Sequence, residues 1–345
     1  MSNETPFTVA AAQIAPVFMD REATIDKACE TMAEAAKNGA KLVVFPEALV
    51  PGYPDWVWTV PPGVRGDIHA EMYGELLDQA VTIPSPAVDK LCRAAKANGV
   101  YVVVGVNELN ADASGGSLYN TLIYIDDQGR LLGKHRKLVP TVSERLVWTP
   151  GDGSTLEVYD TPFGKLGGLI CWENYMPLAR YTMYAWGVQI YVAPTWDSSD
   201  GWIGTLQHIA REGGCVVIGC CIAMRRDQIP DKYEFRKLYP PAEKPEDEWV
   251  NDGNSAIISP RGRILAGPAS RVETILYAEI EPSSLRRSKF MLDVAGHYAR
   301  PDVFQLTVNR EPNHMIHTNG GDHPSPINGK KAPVPPRKAR ELGAK

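Results

Sequence analysis

The chain has 345 residues, of which 44% are hydrophobic and 22% charged, and this composition is typical of a globular protein with one large domain or two smaller ones. Its net charge of −5 gives no reason to expect nucleic acid or an anionic membrane as a partner. No apolar run approaches the roughly 20 residues that span a bilayer, and no secretory signal is visible, so we expect a cytoplasmic protein.

Strand and helix patterns alternate through the first half of the chain. The second predicted helix carries its own boundary signals, with Ser85 as N-cap, Pro86 at the first helical position and Gly99 just past the end. In chain order the patterns predict a strand in FTVAAAQIA, a helix in REATIDKACETMAEAAKNG, a strand in KLVVFPE, a helix in SPAVDKLCRAAKANG, a strand in VYVVVGVNE and a hairpin in YNTLIYIDDQGRLLGKHRK.

The second half continues the alternation and adds further hairpins. It predicts a strand that ends at Cys171, a helix in PLARYTMYAWG, a strand in VQIYVAP, a helix in IGTLQHIAREGG, a strand in CVVIGCCIAM, a hairpin in SAIISPRGRILAG and a strand in ETILYAEIE. Helices mixed with hairpins predict an α/β protein with a mixed sheet. Residues 227–252 are polar and broken by prolines, which indicates a long surface insertion. Residues 310–345 are basic and Pro-rich, so we expect a tail after a single domain at 1–309.

The six cysteines follow no disulfide framework spacing, which predicts reduced thiols. Cys215, Cys220 and Cys221 lie close together, as metal ligands can do. No CxxC pattern or histidine pair accompanies them, so we interpret them as parts of a buried strand. His135 and His208 are likewise interpreted as structural residues.

Three strands end on residues that carry chemistry: Cys171, Glu47 in KLVVFPE, and Lys137 in GKHRKLVPT. Each has an ordinary explanation, as a small core residue, a surface acid and part of a solvated basic edge. Together they supply a thiol, a carboxylate and an ammonium for attack on a poorly reactive carbon. The carboxylate would take the thiol proton, and the ammonium would favour the thiolate and stabilise developing negative charge. Glu144 adds a second acid that would orient the lysine or a water molecule.

Three segments resemble the signature regions of the nitrilase superfamily: FPEALVPGYP, HRKLVPTVSERLVWTPGDGS and CWENYMPLARYTMYAWG. The resemblance implies Glu47 as general base, Lys137 as cationic stabiliser and Cys171 as nucleophile. It implies Glu144 as the second glutamate beside this triad, and the backbone N–H of Trp172 as an oxyanion donor. It also implies a four-layer αββα sandwich with mixed sheets.

The CWEN tetrapeptide and the PTVSERLVWTPGDGS context are similar to the true nitrilase branch. This similarity implies hydrolysis of an organic nitrile to a carboxylic acid and ammonia, with no cofactor and no metal. No Gly-rich phosphate loop or metal-ligand cluster is found in the sequence. The alternatives are an amidase or a cyanide hydratase or dihydratase that uses the same triad, and a non-enzymatic filament-forming scaffold.

Pocket and partner residues follow from the same resemblance. Trp172 and four further residues lie in segments that border the triad in nitrilases, and aromatic walls would suit an apolar nitrile; the alternative for each is packing. The resemblance also implies a homodimer that builds into larger homo-oligomers or helical filaments, with MYAWGVQIYVAP and the helix after Cys171 at the dimer face. The four further pocket candidates are Tyr53, Thr141, Trp148 and Trp196.

Overall fold

The computed structural model describes residues 5–111, 113–239, 243–244 and 248–314. Helices cover the outer faces of two β-sheets. The strands are β1 (Phe7–Gln13), β2 (Ala40–Val44), β3 (Tyr101–Leu109), β4 (Leu118–Ile125), β5 (Leu131–Arg136), β6 (Tyr159–Thr161), β7 (Gly164–Gly168), β8 (Ile190–Val192), β9 (Val216–Gly219), β10 (Ala223–Arg225), β11 (Trp249–Ile258), β12 (Ile264–Ser270) and β13 (Thr274–Ile280). The helices are α1 (Arg21–Lys37), α2 (Trp56–Thr59), α3 (Gly66–Gln79), α4 (Pro86–Asn98), α5 (Pro177–Ala185), α6 (Asp200–Gly213) and α7 (Pro282–Ser288).

The sheets form the two inner layers of a sandwich. The first has the order β13-β1-β2-β3-β4-β5, and the second has the order β10-β11-β9-β8-β7-β6, with β12 paired to β11. Val44 and Val103 of the first sheet share one buried cluster with Ile190 and Ile218 of the second. Helices α1 and α4 pack on the outer face of the first sheet, and α5 and α6 on that of the second. The predicted four-layer αββα sandwich with mixed sheets is therefore confirmed.

Local sequence signals account for the helix boundaries. The Ser85 side chain accepts a hydrogen bond from the backbone N–H of Val88, and Gly99 ends α4 with a left-handed φ of 60°. The predicted strand in CVVIGCCIAM is interrupted and forms β9 and β10, and Cys215, Cys220 and Cys221 are buried. Helices α2 and α3 are additional elements that the sequence patterns did not predict.

The interpretation of residues 227–252 as a surface insertion is wrong for part of the segment. Phe235 is fully buried, and the ring of Tyr233 lies edge-on to Phe18 with centroids 5.5 Å apart. Tyr239 donates a hydrogen bond to Asp55, and β11 already begins at Trp249. The segment is polar on average, but aromatic side chains recur in it, and burial of these rings stabilises the packing of this part against the body of the protein.

The predicted tail lies outside the described residues from position 315 onward. Before that point, Arg310 pairs with Glu157, and its guanidinium lies 5.0 Å from the ring centroid of Trp186. The compact body includes residues up to Pro312. Among the described helices, none is long and apolar enough to cross a membrane.

Strand directions determine which strand ends meet. β2 is parallel to β3, and β4 is antiparallel to both β3 and β5, so β2 and β5 point the same way. The residues that follow β2 and β5 therefore emerge at one edge of the first sheet, beside the start of β4. In the second sheet β7, β8 and β9 are parallel, so the residues that follow these strands also emerge together.

Candidate active site

A buried group of charges lies where β2 and β5 end. Lys137 Nζ is 2.8 Å from Glu47 Oε1 and 2.7 Å from Glu144 Oε2, and all three side chains are almost completely excluded from solvent. A buried ammonium needs such partners because burial without them is very costly. The lysine is therefore fixed between two carboxylates rather than forming part of a solvated edge.

Glu47 is held by one of its two oxygens. Asn120 Nδ2, at the start of β4, donates to Glu47 Oε1 at 2.7 Å, the same oxygen that Lys137 contacts. Glu47 Oε2 is buried and has no hydrogen-bond partner among the residues that the structure describes. This oxygen is therefore available to accept a proton.

Glu144 uses both of its oxygens. It lies in a 3₁₀ helix at Val142–Leu146, where its Oε2 accepts the backbone N–H of Thr141 at 2.6 Å in addition to Lys137. Its Oε1 accepts the hydroxyl of Tyr53 at 2.7 Å. Glu144 thus orients Lys137 and connects it, through a hydrogen bond, to Tyr53.

Cys171 begins a 3₁₀ helix at Cys171–Tyr175, three residues after β7 ends. Its φ is 51°, a left-handed conformation that non-glycine residues seldom adopt and that is often found at functional sites. Its backbone N–H donates to Pro194 O at 2.8 Å, and Thr195 Oγ1 donates to its Sγ at 3.1 Å. Both partners follow β8, so the adjacent strand ends hold the turn in place.

The resting thiol is protonated. Burial, followed by the negative charge of Glu47, raises the pKa of Cys171 to about 12, although Lys137 acts to lower it. The Lys137 ammonium favours the thiolate, as expected, but burial and the nearby carboxylates outweigh its effect on the pKa of Cys171. Burial also raises the pKa of Glu47. For Lys137, burial alone would lower the pKa, but the surrounding carboxylates raise it, so the lysine keeps its charge.

A cavity of about 290 Å³ opens over Cys171. The rings of Tyr53 and Trp196 stack at 4.2 Å along one wall, and the Trp172 indole donates to Asp197 at the mouth. Trp148 lies behind this wall, edge-on to Tyr53. The described residues that line the cavity are Tyr53, Trp58, Thr141, Val142, Glu144, Cys171, Trp172, Trp196 and Asp197.

The structure thus brings Glu47, Lys137, Cys171 and Glu144 together, with Tyr53, Thr141, Trp172 and Trp196 around the cavity. Sequence reasoning missed Asn120 and Thr195, which contact members of this group, and also missed Asp197 at the mouth. Thr195 follows a predicted strand in the same way as the triad residues, so its position was a usable signal. Asn120 lies inside a strand, where nothing in the sequence marks it.

The other candidate ligand residues have structural partners. His135 Nε2 lies 2.9 Å from Glu173 Oε2, and His208 lies 3.6 Å from Glu212 on α6. Cys220 Sγ donates to Ala12 O at 3.4 Å within the core. No group of three or more His, Cys, Asp or Glu residues in the described part of the chain is placed to hold a metal ion.

Comparisons with known proteins agree with this arrangement. A family model described as carbon-nitrogen hydrolase matches residues 8–290. Nitrilase 1 of Arabidopsis thaliana is 42% identical over 328 residues, which cover 92% of this chain and 93% of that protein. An aliphatic nitrilase of Sinorhizobium fredii is 42% identical, covering 91% and 99%, and a bifunctional nitrilase/nitrile hydratase of Nicotiana tabacum is 45% identical, covering 89% and 87%.

Solved structures show the same architecture. A Saccharomyces cerevisiae member of branch 10 of the nitrilase superfamily matches with a TM-score of 0.65 and 23% identity, covering 85% of this chain and 96% of that one. A Nesterenkonia amidase matches with a TM-score of 0.58 and 20% identity, covering 84% and 96%. These two likenesses concern the fold, whereas the family model and the curated relatives concern the family itself. The chain belongs to the carbon-nitrogen hydrolase family and, within it, to the nitrilase branch.

Proposed function

We propose that this protein is a nitrilase that hydrolyses organic nitriles to carboxylic acids and ammonia through covalent intermediates on Cys171. The observation that carries the proposal is the position of Cys171 in an aromatic cavity beside a buried Glu47–Lys137–Glu144 group. An apolar wall with a few polar groups suits an uncharged organic nitrile. The names of the curated relatives support the same chemistry.

The first step follows from the protonation states. Glu47 Oε2 takes the proton of the Cys171 thiol while Sγ bonds to the nitrile carbon. One carbon–nitrogen π bond opens, and the nitrogen takes up the proton that left the thiol, giving a neutral thioimidate. Lys137 stabilises the negative charge that builds on the nitrogen. Moving the proton from thiol to carboxylate leaves the net charge of the buried group unchanged, so the low-polarity surroundings do not oppose it.

Hydrolysis then takes two waters. Glu47 accepts a proton from the first, which adds to the thioimidate carbon and forms a tetrahedral species. Loss of ammonia leaves a thioester on Cys171, and the second water releases the acid and restores the thiol. If the tetrahedral species loses the thiol instead, the product is the amide.

A nitrilase with substantial amide release is the second candidate, because a relative at 45% identity carries both names. An amidase or a cyanide hydratase or dihydratase with the same triad is distinguished by its products. Amidase activity alone would convert amides and leave nitriles untouched.

We also propose that the chain forms homodimers that build into larger homo-oligomers or helical filaments. Leu178 on α5 is 66% exposed, and Phe290 and Phe304 are 82% and 78% exposed, as expected of surfaces that a second copy covers. Light scattering after size exclusion tests the subunit number, and Leu178→Glu should shift it toward smaller species. All six cysteines are unpaired, which supports the proposal of a reducing, cytoplasmic location.

The test of function is product analysis on purified protein. Phenylacetonitrile, benzonitrile, an aliphatic dinitrile, cyanide and the matching amides are each incubated with it, and acid, amide and ammonia are quantified. Acid and ammonia are expected from nitriles, with none from Cys171→Ala. The matched control is Cys92→Ala, which removes a half-buried thiol on α4 and should leave turnover unchanged. Equal activity in wild type and Cys171→Ala would contradict the proposal.

A further inference from the structure

The carboxylate of Glu173 lies behind the nucleophile and contacts the backbone on both sides of the site. Its Oε2 accepts the backbone N–H of Ile170 at 2.8 Å, directly before Cys171. Its Oε1 accepts the backbone N–H of Leu138 at 2.8 Å, directly after Lys137. The Glu173 side chain therefore bonds to the backbone beside Cys171, which follows a strand of the second sheet, and beside Lys137, which follows a strand of the first.

His135, on β5, also contacts the Glu173 carboxylate. Its Nε2 lies 3.1 Å from Glu173 Oε1 and 2.9 Å from Oε2, and both side chains are buried. Because a carboxylate that accepts two backbone N–H groups has no proton to offer here, Nε2 is assigned as the protonated nitrogen of the ring. With donors on both oxygens, the carboxylate cannot turn without breaking bonds.

We propose that Glu173 is a positioning residue that sets the placement of Lys137 relative to Cys171. Lys137 is fixed in the first sheet by the bond from its backbone N–H to Asn120 O, and Cys171 is fixed near the second sheet by Pro194 O. Glu173 bonds to the backbone next to both residues, so it links the two sheets beside the reacting groups. A placement error of about 1 Å costs roughly 100-fold in rate, so such a link carries catalytic weight.

The consequence concerns which group leaves the tetrahedral species, and it rests on the proposed nitrilase function. That species carries an OH, an NH₂ and the Cys171 sulfur on one carbon. Breaking the carbon–nitrogen bond, with a proton delivered to nitrogen, gives ammonia and the thioester. Breaking the carbon–sulfur bond, with a proton returned to sulfur, gives the amide and free thiol. Lys137 stabilises the negative charge that builds on nitrogen, and the electrons of the carbon–nitrogen bond move to nitrogen as that bond breaks. Displacement of Lys137 therefore disfavours the first route, so a variant that weakens the Glu173 bonds should release a larger share of amide.

The experiment compares Glu173→Gln, Glu173→Asp and wild type on the best nitrile of the panel. Gln places an NH₂ donor against a backbone N–H, while Asp keeps both acceptors but is too short to reach both donors. Glu173→Gln should lower kcat roughly 100-fold with little change in KM and raise the amide-to-acid ratio, and Glu173→Asp should shift both quantities less. The control is Leu91→Ala, a core truncation on α4 in the outer cluster of the first sheet.

The control separates positioning from stability. Leu91→Ala should lower Tm while kcat and the product ratio stay at wild-type values. If Glu173→Gln lowers Tm but keeps the wild-type kcat and product ratio, the positioning role is refuted. Should Glu173→Gln fail to fold, Glu173→Asp decides on the same criteria. A wild type that makes no acid from any nitrile would instead refute the proposed function.

Discussion

Gly105 on β3 lies against the turn that carries Glu47, and a single methyl group there tests how closely the base must be placed. A Cβ at Gly105 would lie 2.3 Å from Pro46 O and 2.5 Å from Ala48 N. An ordinary contact for such an atom begins near 3.4 Å, so the turn or the strand must move by about 1 Å. We expect Gly105→Ala to displace Glu47.

The turn has little freedom to absorb that movement. Phe45 N–H donates to Val103 O at 2.8 Å, and Val50 N–H donates to Gly105 O at 3.1 Å, so β3 holds the turn on both sides. Overpacking of this kind destabilises by roughly 1–3 kcal/mol. Because a misplacement of about 1 Å costs roughly 100-fold in rate, kcat should fall by that factor.

The assay is steady-state acid formation together with urea unfolding of the same preparation. Gly74→Ala on α3 is the matched control, since its Cβ would meet nothing within 4 Å. It should keep wild-type kcat and gain up to about 1 kcal/mol of stability. A Gly105→Ala variant with wild-type kcat would show that Glu47 does not need this close approach.

Three further changes test the electrostatics and the pocket wall. Burial raises the pKa of Asp55 from 3.8 to about 6, so its contribution to the free energy of unfolding is present below about pH 4 and lost as pH rises through 6. Asp55→Asn should remove roughly 2 kcal/mol of pH dependence from urea unfolding between pH 4.5 and 7.5, which is the part of the total change of roughly 3 kcal/mol that falls in this window. With the pKa of Cys171 near 12, alkylation of this residue by iodoacetamide, followed by mass spectrometry, should rise about tenfold per pH unit from pH 7 to 9, and a plateau near pH 7 would contradict it. Tyr53→Phe removes a hydrogen bond to Glu144 but keeps the stack on Trp196, so kcat should fall roughly tenfold with KM unchanged, whereas a change in KM alone would assign Tyr53 to binding only.

The parts of the fold that local chemistry determines were predictable from the sequence. Ser85 and Gly99 bound α4 as their cap signals predict, and apolar runs located β2 and β8. The burial of the segment around Phe235 was not predictable, because it depends on a hydrophobic cluster formed by residues far away in the chain. The average polarity of a segment does not reveal that one of its aromatic residues packs into such a cluster.

The candidate site likewise has parts that were predictable from the sequence and parts that were not. Three residues that end apolar strands were identifiable because a reactive side chain at a strand end is a local pattern. Asn120 and Glu173 were not, since their roles depend on contacts with residues far away in the chain: Asn120 donates to Glu47, and Glu173 accepts from Leu138. The protonation state of Cys171 was also not predictable from the sequence. It depends on burial and nearby carboxylates, which raise the pKa of the thiol, against Lys137, which lowers it, and only the packed structure gives this balance.

The two carboxylates beside Lys137 differ in their hydrogen bonds, and this difference supports distinct roles. Glu144 receives donors on both oxygens, from Tyr53 on one and from Lys137 and the Thr141 backbone on the other. A proton added to Glu144 would therefore have to share an oxygen with a donor that is already bound. Glu47 receives both of its donors on Oε1 and keeps Oε2 open, so a proton can arrive without loss. The count of donors, rather than distance to the lysine, therefore favours Glu47 as the base and Glu144 as the fixed counter-charge.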